Sequence, residues 1–178
     1  MRTLIAGVGY SNLSDLSVGP IVAAQLRTEA WPAHVEVDDL SYGPIAVVHR
    51  LVEAAPPYTR LVLVGAVDRG RRGAEVRSYR WDGVLPDAEE IQARVAEAVT
   101  GVIDLDNLLV VTRHFGALPA EVFVVEVQPV ATEFGMEPSP AVAAVLPEVC
   151  RLARAAAQAG PGGPAWDVAG LRVRAGVR

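Results

Sequence analysis

Leu4-Ile5-Ala6-Gly7-Val8-Gly9-Tyr10-Ser11-Asn12-Leu13-Ser14-Asp15-Leu16-Ser17-Val18-Gly19-Pro20 joins an apolar strand to a helix through a loop that carries a single carboxylate. Residues 4–8 are almost continuously apolar, the pattern of a parallel strand buried on both faces. Gly7 and Gly9 close it in a turn, and Val18, Ile21, Val22 and Leu26 follow at helical spacing. Pro20 falls in the first helical turn, where a missing N–H costs little. Loops of this kind lie at the carboxyl edge of a sheet, where α/β proteins place their chemistry.

The alternation continues along the chain. Residues 35–37 form a second strand that enters the loop 38–43, and a helix follows with Ile45, Val48, Leu51 and Val52 on one face before Pro56-Pro57 ends it. Residues 61–67 are the most hydrophobic run and are predicted to be a central strand. In residues 75–81, Val76, Ser78 and Arg80 alternate with charged or aromatic neighbours, as on an edge strand. Residues 86–100 form an amphipathic helix with Ile91, Val95, Ala98 and Val99 on one side, stopped by Gly101 in a left-handed cap. The next helix starts near Asp104, turns Leu105, Leu108, Leu109 and Thr112 inward and ends at Gly116. Asp104 and Asp106 sit in its first turn, where exposed amides favour carboxylates, so capping is preferred over metal binding. Residues 122–127 are the last strand, Ser139-Pro140 starts the last helix, and Pro147 is predicted to kink or split it. These elements predict an α/β three-layer sandwich, a mainly parallel twisted sheet with helices on both faces.

The chain has 178 residues, 51% of them hydrophobic, enough for one well-buried domain over residues 1–158. Gly160-Pro161-Gly162-Gly163-Pro164 cannot continue a helix, so residues 159–178 read as a linker and tail. Trp166, Leu171, Arg172 and Arg174 make that tail either disordered or a segment that docks on a partner or folds back.

Twenty-one acidic residues against 16 basic ones, all of them Arg, give a net charge of −5, which disfavours a nucleic-acid partner. Arg69, Arg71 and Arg72 cluster around Gly70 and Gly73 and read as a solvated hairpin turn. No apolar run approaches the roughly 20 residues of a membrane span, and the N-terminus lacks a signal-peptide pattern, so a cytoplasmic protein is expected. Cys150 lies among Val145, Leu146, Val149 and Leu152 and is a packing residue.

Other chemistries find little support. Gly7-x-Gly9 is followed by Asn12 where a dinucleotide fingerprint has its third glycine, and Asp39 comes too late for a ribose contact. His34, His49 and His114 have no metal-binding spacing. Ser11, Ser14 and Ser17 lack a nucleophile elbow.

Together, Gly7-x-Gly9, Asp15 before a glycine-containing helix start, and the order of elements resemble the hydrogenase maturation endopeptidases. That family trims the C-terminal extension of nickel-iron hydrogenase large subunits. Its pattern is Gly-x-Gly-Asn followed by a pair of acidic residues; here Tyr10 replaces the Asn and Leu16 stands at the second acid. The runs Val35-Glu36-Val37-Asp38-Asp39 and Leu61-Val62-Leu63-Val64-Gly65-Ala66-Val67-Asp68 resemble its second and third strands. Arg113-His114-Phe115-Gly116-Ala117-Leu118-Pro119 and Gly135-Met136-Glu137-Pro138-Ser139-Pro140 resemble later segments, so the likeness spans residues 1–155.

The resemblance implies a phosphorylase/hydrolase-like fold and three metal ligands, at positions held here by Leu16, Gly65 and Gly101. None of these side chains coordinates a cation, and the three positions are expected to converge on one cleft. The cleft is lined by loops 9–17, 38–43 and 65–69, with Asp15, Asp39, Tyr42 and Asp68 as candidates for partner contact. No cofactor is expected; nickel or another divalent cation would need alternative ligands such as Asp15, Asp39, Asp68 and Glu126. The implied partner is a hydrogenase large-subunit precursor or related protein, with neither nucleic acid nor membrane involved. The implied role is an assembly factor or chaperone with lost or altered catalysis; the alternative is an active metal-dependent endopeptidase.

Overall fold

A computed structural model describes residues 1–160 and 167–169. The strands are β1 (Thr3–Val8), β2 (Val35–Asp39), β3 (Arg60–Ala66), β4 (Val76–Trp81), β5 (Glu121–Val127) and β6 (Val168–Ala169). The helices are α1 (Val18–Arg27), α2 (Pro44–Val52), α3 (Ala88–Val99), α4 (Leu105–His114) and α5 (Pro140–Ala157), with a 3-10 turn at Ser14–Ser17. They form one sheet of order β2-β1-β3-β5-β4-β6. Strands β2, β1, β3 and β5 are parallel, β4 runs antiparallel to β5, and β6 lies parallel to β4. The mainly parallel three-layer architecture is the expected one.

Strand alternation divides the core. Leu4, Ala6, Val8, Leu61, Leu63, Val122 and Val124 face α2 and α4, while Ile5, Val62, Val64, Phe123, Val125 and Val127 face α1 and α5. Strand β3 lies between β1 and β5 and has Leu61, Val62, Leu63 and Val64 fully buried, as its composition predicts. The chain leaves β1 toward β2 on one side and returns to β3 on the other, so the strand order reverses between β1 and β3. In open α/β sheets the crevice at the carboxyl ends of such a pair is the natural ligand site.

Several elements differ from their sequence reading. The buried face of α2 is Pro44, Val47 and Leu51, at i, i+3 and i+7, whereas Ile45 and Val52 point outward. On α3 the buried positions are Arg94 and Ala98, whereas Val99 is 80% exposed. The segment after β3 is not a hairpin: β4 pairs with β5, so the chain passes beyond β5 before turning back. Helix α5 runs unbroken through Pro147. Among the tail residues, Trp166, Leu171, Arg172 and Arg174 lie outside the described residues, while Val168–Ala169 pairs with Arg80 and Trp81 of β4. No helix among the described residues is long and apolar enough to cross a membrane.

Glycine sets the closest contact of the fold. A Cβ on Gly7 would collide with the carbonyl of Gly19, and one on Gly19 would collide with the backbone of Val8. Strand β1 and helix α1 therefore touch through their backbones, which positions the loop between them. Gly7→Ala is expected to lower stability by roughly 1–3 kcal/mol through overpacking, read as a lower urea midpoint; an unchanged midpoint would show that the contact can relax.

Candidate functional site

The loop after β1 is built around Asp15. Its carboxylate is fully buried and accepts hydrogen bonds from the backbone N–H groups of Val130 (2.7 Å), Ala131 (2.8 Å) and Ser139 (2.6 Å), and from the Ser139 hydroxyl (2.9 Å). The surrounding backbone adds Ser14 N–H to the Gly135 carbonyl and Asp15 N–H to the Ala131 carbonyl. Leu13 and Gly135 also form a β-bridge. Asn12 and Ser14 adopt positive φ, 64° and 45°, a strained conformation that these cross-links hold. Asp15 therefore clamps the β1–α1 loop to the β5–α5 loop. It is not the solvent-facing partner contact its sequence position suggested, since its acceptors are spent inside the protein.

Burial works to raise the Asp15 pKa, but the hydrogen bonds from Ala131, Val130 and Ser139 outweigh it and hold the carboxyl below its ordinary value. The clamp also fixes the loop after β5, which projects Val130, Phe134 and Met136 into solvent at 56%, 77% and 71% exposure.

Leu16 and Gly65 both belong to the crevice between β1 and β3. Gly65 pairs with Val8, and a Cβ on Gly9 would collide with the Leu16 carbonyl. A Cβ on Gly65 would lie 2.7 Å from the Val8 carbonyl oxygen and 3.1 Å from Leu105 Cδ1, so the backbone has closed over the position. Gly101 has φ +82° and open space around it, as the sequence reading of a left-handed stop requires. Its segment is tied to the same loop by Tyr10, whose hydroxyl accepts from the Ile103 N–H at 2.8 Å.

Next to Gly65 lies a buried ionic network. Glu126, the cross-strand partner of Gly65, is fully buried, and Arg69 binds both it and Asp106. Arg69 donates to Asp106 through both terminal nitrogens, at 2.6 and 2.7 Å, and to Glu126 at 2.8 Å. Arg71 reaches Glu126 at 2.6 Å, and the Tyr79 hydroxyl donates to it at 3.2 Å. Thus Arg69 and Arg71 are not a solvated turn; only Arg72 is exposed. Asp106 is likewise no helix cap. Asp104 takes that role by accepting from Asn107 N–H, and Asp106 turns to Arg69 instead.

Burial pushes the Asp106 carboxyl up, whereas at Glu126 the guanidinium groups of Arg69 and Arg71 outweigh burial and hold it down. Burial followed by the charge of Glu126 raises the Tyr79 hydroxyl, which stays a donor.

The other candidates scatter along the edge. Asp39 accepts from Ser41 N–H in a local turn, and Tyr42 packs half-buried against the core with its hydroxyl raised by burial and then by Asp38. Asp68 is exposed and accepts from Gly70 N–H and Gln128 Nε2. His34, His49 and His114 are all exposed.

No protein-family model matches the chain, and no curated protein sequence matches it. Solved structures do. An endopeptidase from Escherichia coli aligns with a TM-score of 0.66 at 22% identity, covering 88% of this chain and 91% of the other. The hydrogenase maturating endopeptidase HybD of Escherichia coli aligns with a TM-score of 0.60 at 21% identity, covering 85% and 88%. The nickel-iron hydrogenase maturation protease HybD of Thermococcus kodakarensis gives 0.57 at 20% identity, covering 89% and 100%. The chain has the hydrogenase maturation peptidase fold.

The residues at the positions where the family resemblance places cation ligands do not fit a cation. Leu16 is aliphatic, Gly65 has no side chain and no room for one, and Gly101 has none. The alternative carboxylates are committed: Asp15 to amides, Glu126 to two guanidinium groups, Asp39 and Asp68 to local turns. Among the described residues no group of three or more His, Cys, Asp or Glu is placed to hold a metal ion.

Sequence reasoning missed the Arg69 network and the exposed Phe134 and Met136. The network had one faint signal: Glu126 interrupts an otherwise apolar strand, and a buried charge requires a partner.

Because the Asp15 pKa is depressed in the folded state, its stabilisation is present above about pH 4 and lost as pH falls through the folded value. Asp15→Asn should cost about 3 kcal/mol near neutrality. The difference from the unaltered protein should shrink on acidification; a pH-independent gap in thermal unfolding would contradict this account. Arg69→Met leaves Asp106 buried without a counter-ion and should cost about 3–5 kcal/mol. Adding Asp106→Leu should recover part of that loss in urea unfolding, and no recovery would mean that Arg69 acts chiefly through Glu126.

Proposed function

We propose that this protein recognises a nickel-iron hydrogenase large-subunit precursor, or a related protein, and assists its assembly without metal-dependent cleavage. The observation that carries this reading is Gly65. At a position where the family resemblance requires a carboxylate, the Val8 backbone and Leu105 occupy the space of a side chain. Leu16 and Gly101 supply no donor either, and a hydrolytic cation site needs three or so converging protein ligands.

Recognition has separate support. Phe134 and Met136 stand exposed on the loop that Asp15 clamps beside the crevice. Large apolar side chains held outward on a fixed loop are characteristic of partner-contacting surfaces. Loss of a chemical site leaves such a surface intact, because fold and chemistry are separable. Asp39, Tyr42 and Asp68 lie on neighbouring loops and are further contact candidates.

The test incubates the purified protein with a nickel-loaded precursor and measures both association and precursor mass. A complex with unchanged precursor mass is expected, weakened at least tenfold by Phe134→Asp together with Met136→Asp. Removal of a C-terminal peptide would return the protein to the active endopeptidases, and absence of any complex would remove the hydrogenase partner.

A further inference from the structure

Helix α3 differs from the other helices in what holds it. It packs mainly on α4 and α2 and carries only Arg94 and Ala98 as buried residues, while Val99 faces solvent. Glycines with left-handed backbones bracket it, Gly83 at φ +74° before its start and Gly101 at φ +82° after its end. Beyond Gly101 the chain is anchored again, because Ile103 packs on the core and its N–H donates to the Tyr10 hydroxyl at 2.8 Å. We propose that α3 is a lid that swings on Gly83 and Gly101 as one unit, uncovering the outer side of α4 and freeing one wall of the crevice, while the sheet and the other helices stay folded.

The surface beneath α3 is polar and imperfectly matched. Leu105 of α4 meets Gly65 on the sheet, and Asn107 and Val110 lie roughly 140–200° around the helix from it. Both are nonetheless buried, so a covering helix and not the sheet keeps water from them. Neither side-chain polar atom of Asn107 has a hydrogen-bond partner in the protein. The Arg94 Nη1 is also buried without one, 3.7 Å from Asp104 Oδ1. Closing α3 strips water from an amide and a guanidinium nitrogen without replacing it, which lowers the cost of opening. The helix keeps its own support when it moves: Asp87 caps its start by accepting from Glu90 N–H, and Arg94 Nε donates to Glu90 one turn away at 2.7 Å. A segment with few buried apolar contacts is one that opens below global unfolding. The last turn of α3 lies against the loop 38–43, where a Cβ on Gly43 would come 4.0 Å from the Ala98 carbonyl, so opening releases that loop. The inference does not depend on the hydrogenase reading.

The experiment follows thiol modification of the full-length protein under native conditions. Val110→Cys puts a reporter on the covered side of α4, and Cys150, buried on α5, is the internal reference for global unfolding. After correction for reactivity in the unfolded chain, the introduced thiol is expected to react at least 100-fold faster than Cys150, with less than half its urea dependence. Thr112→Cys, on the sheet side of α4, should stay as protected as Cys150. Asn107→Leu exchanges the partnerless amide for an apolar group of similar size and should slow the Val110→Cys reporter at least fivefold. Gly101→Ala, strained in the closed backbone, should speed it by a similar factor. Equal protection of the Val110→Cys thiol and Cys150 overturns the proposal, as does exposure of the Thr112→Cys thiol along with the reporter, which would mean that α4 itself unfolds. Acceleration by Asn107→Leu would overturn the account of the seam, and indifference to Gly101→Ala would overturn the hinge.

Discussion

The carboxylate of Asp15 is the interaction on which the crevice depends. Two loops leave the sheet at β1 and β5, which are not adjacent, and backbone amides from the second converge on one buried anion from the first. A charge in that position is tolerable only because hydrogen bonds replace its hydration. The same contact captures Ser139, which caps α5, so the helix on the far face is set by a residue in the loop after β1. Removing the charge would free the strained Asn12 to Ser14 backbone and the loop bearing Phe134 and Met136 together.

A second constraint sits one strand away. Glu126, Asp106, Arg69 and Arg71 form a nearly neutral, largely buried set beside Gly65. Its consequence for chemistry is that the carboxylates nearest the crevice are bound to guanidinium groups and are unavailable to a cation. The position at Gly65 is itself closed, by the Val8 backbone and Leu105.

The two ends of the sheet differ in the same physical sense. At β1 and β3 the backbones are packed until no Cβ fits at Gly7 or Gly65, so the crevice is stiff. At β4, among the described residues, the outer side pairs at Arg80 and Trp81 with the two residues of β6.

The sequence by itself determined the element order, the centrality of the 61–67 strand, the left-handed Gly101 and the Asp104 cap, because these follow from local periodicity and backbone sterics. It could not place Arg69 and Arg71 inside the protein or turn Asp106 away from capping, since those choices depend on Glu126, 57 residues beyond Arg69, arriving on the next strand. Nor could it say that Asp15 would face amides from the loop after β5, or that α2 would bury Pro44, Val47 and Leu51 and leave Ile45 and Val52 outside. Charge partners and helix phase are set by what packs alongside, and that neighbour is specified only when the tertiary structure closes.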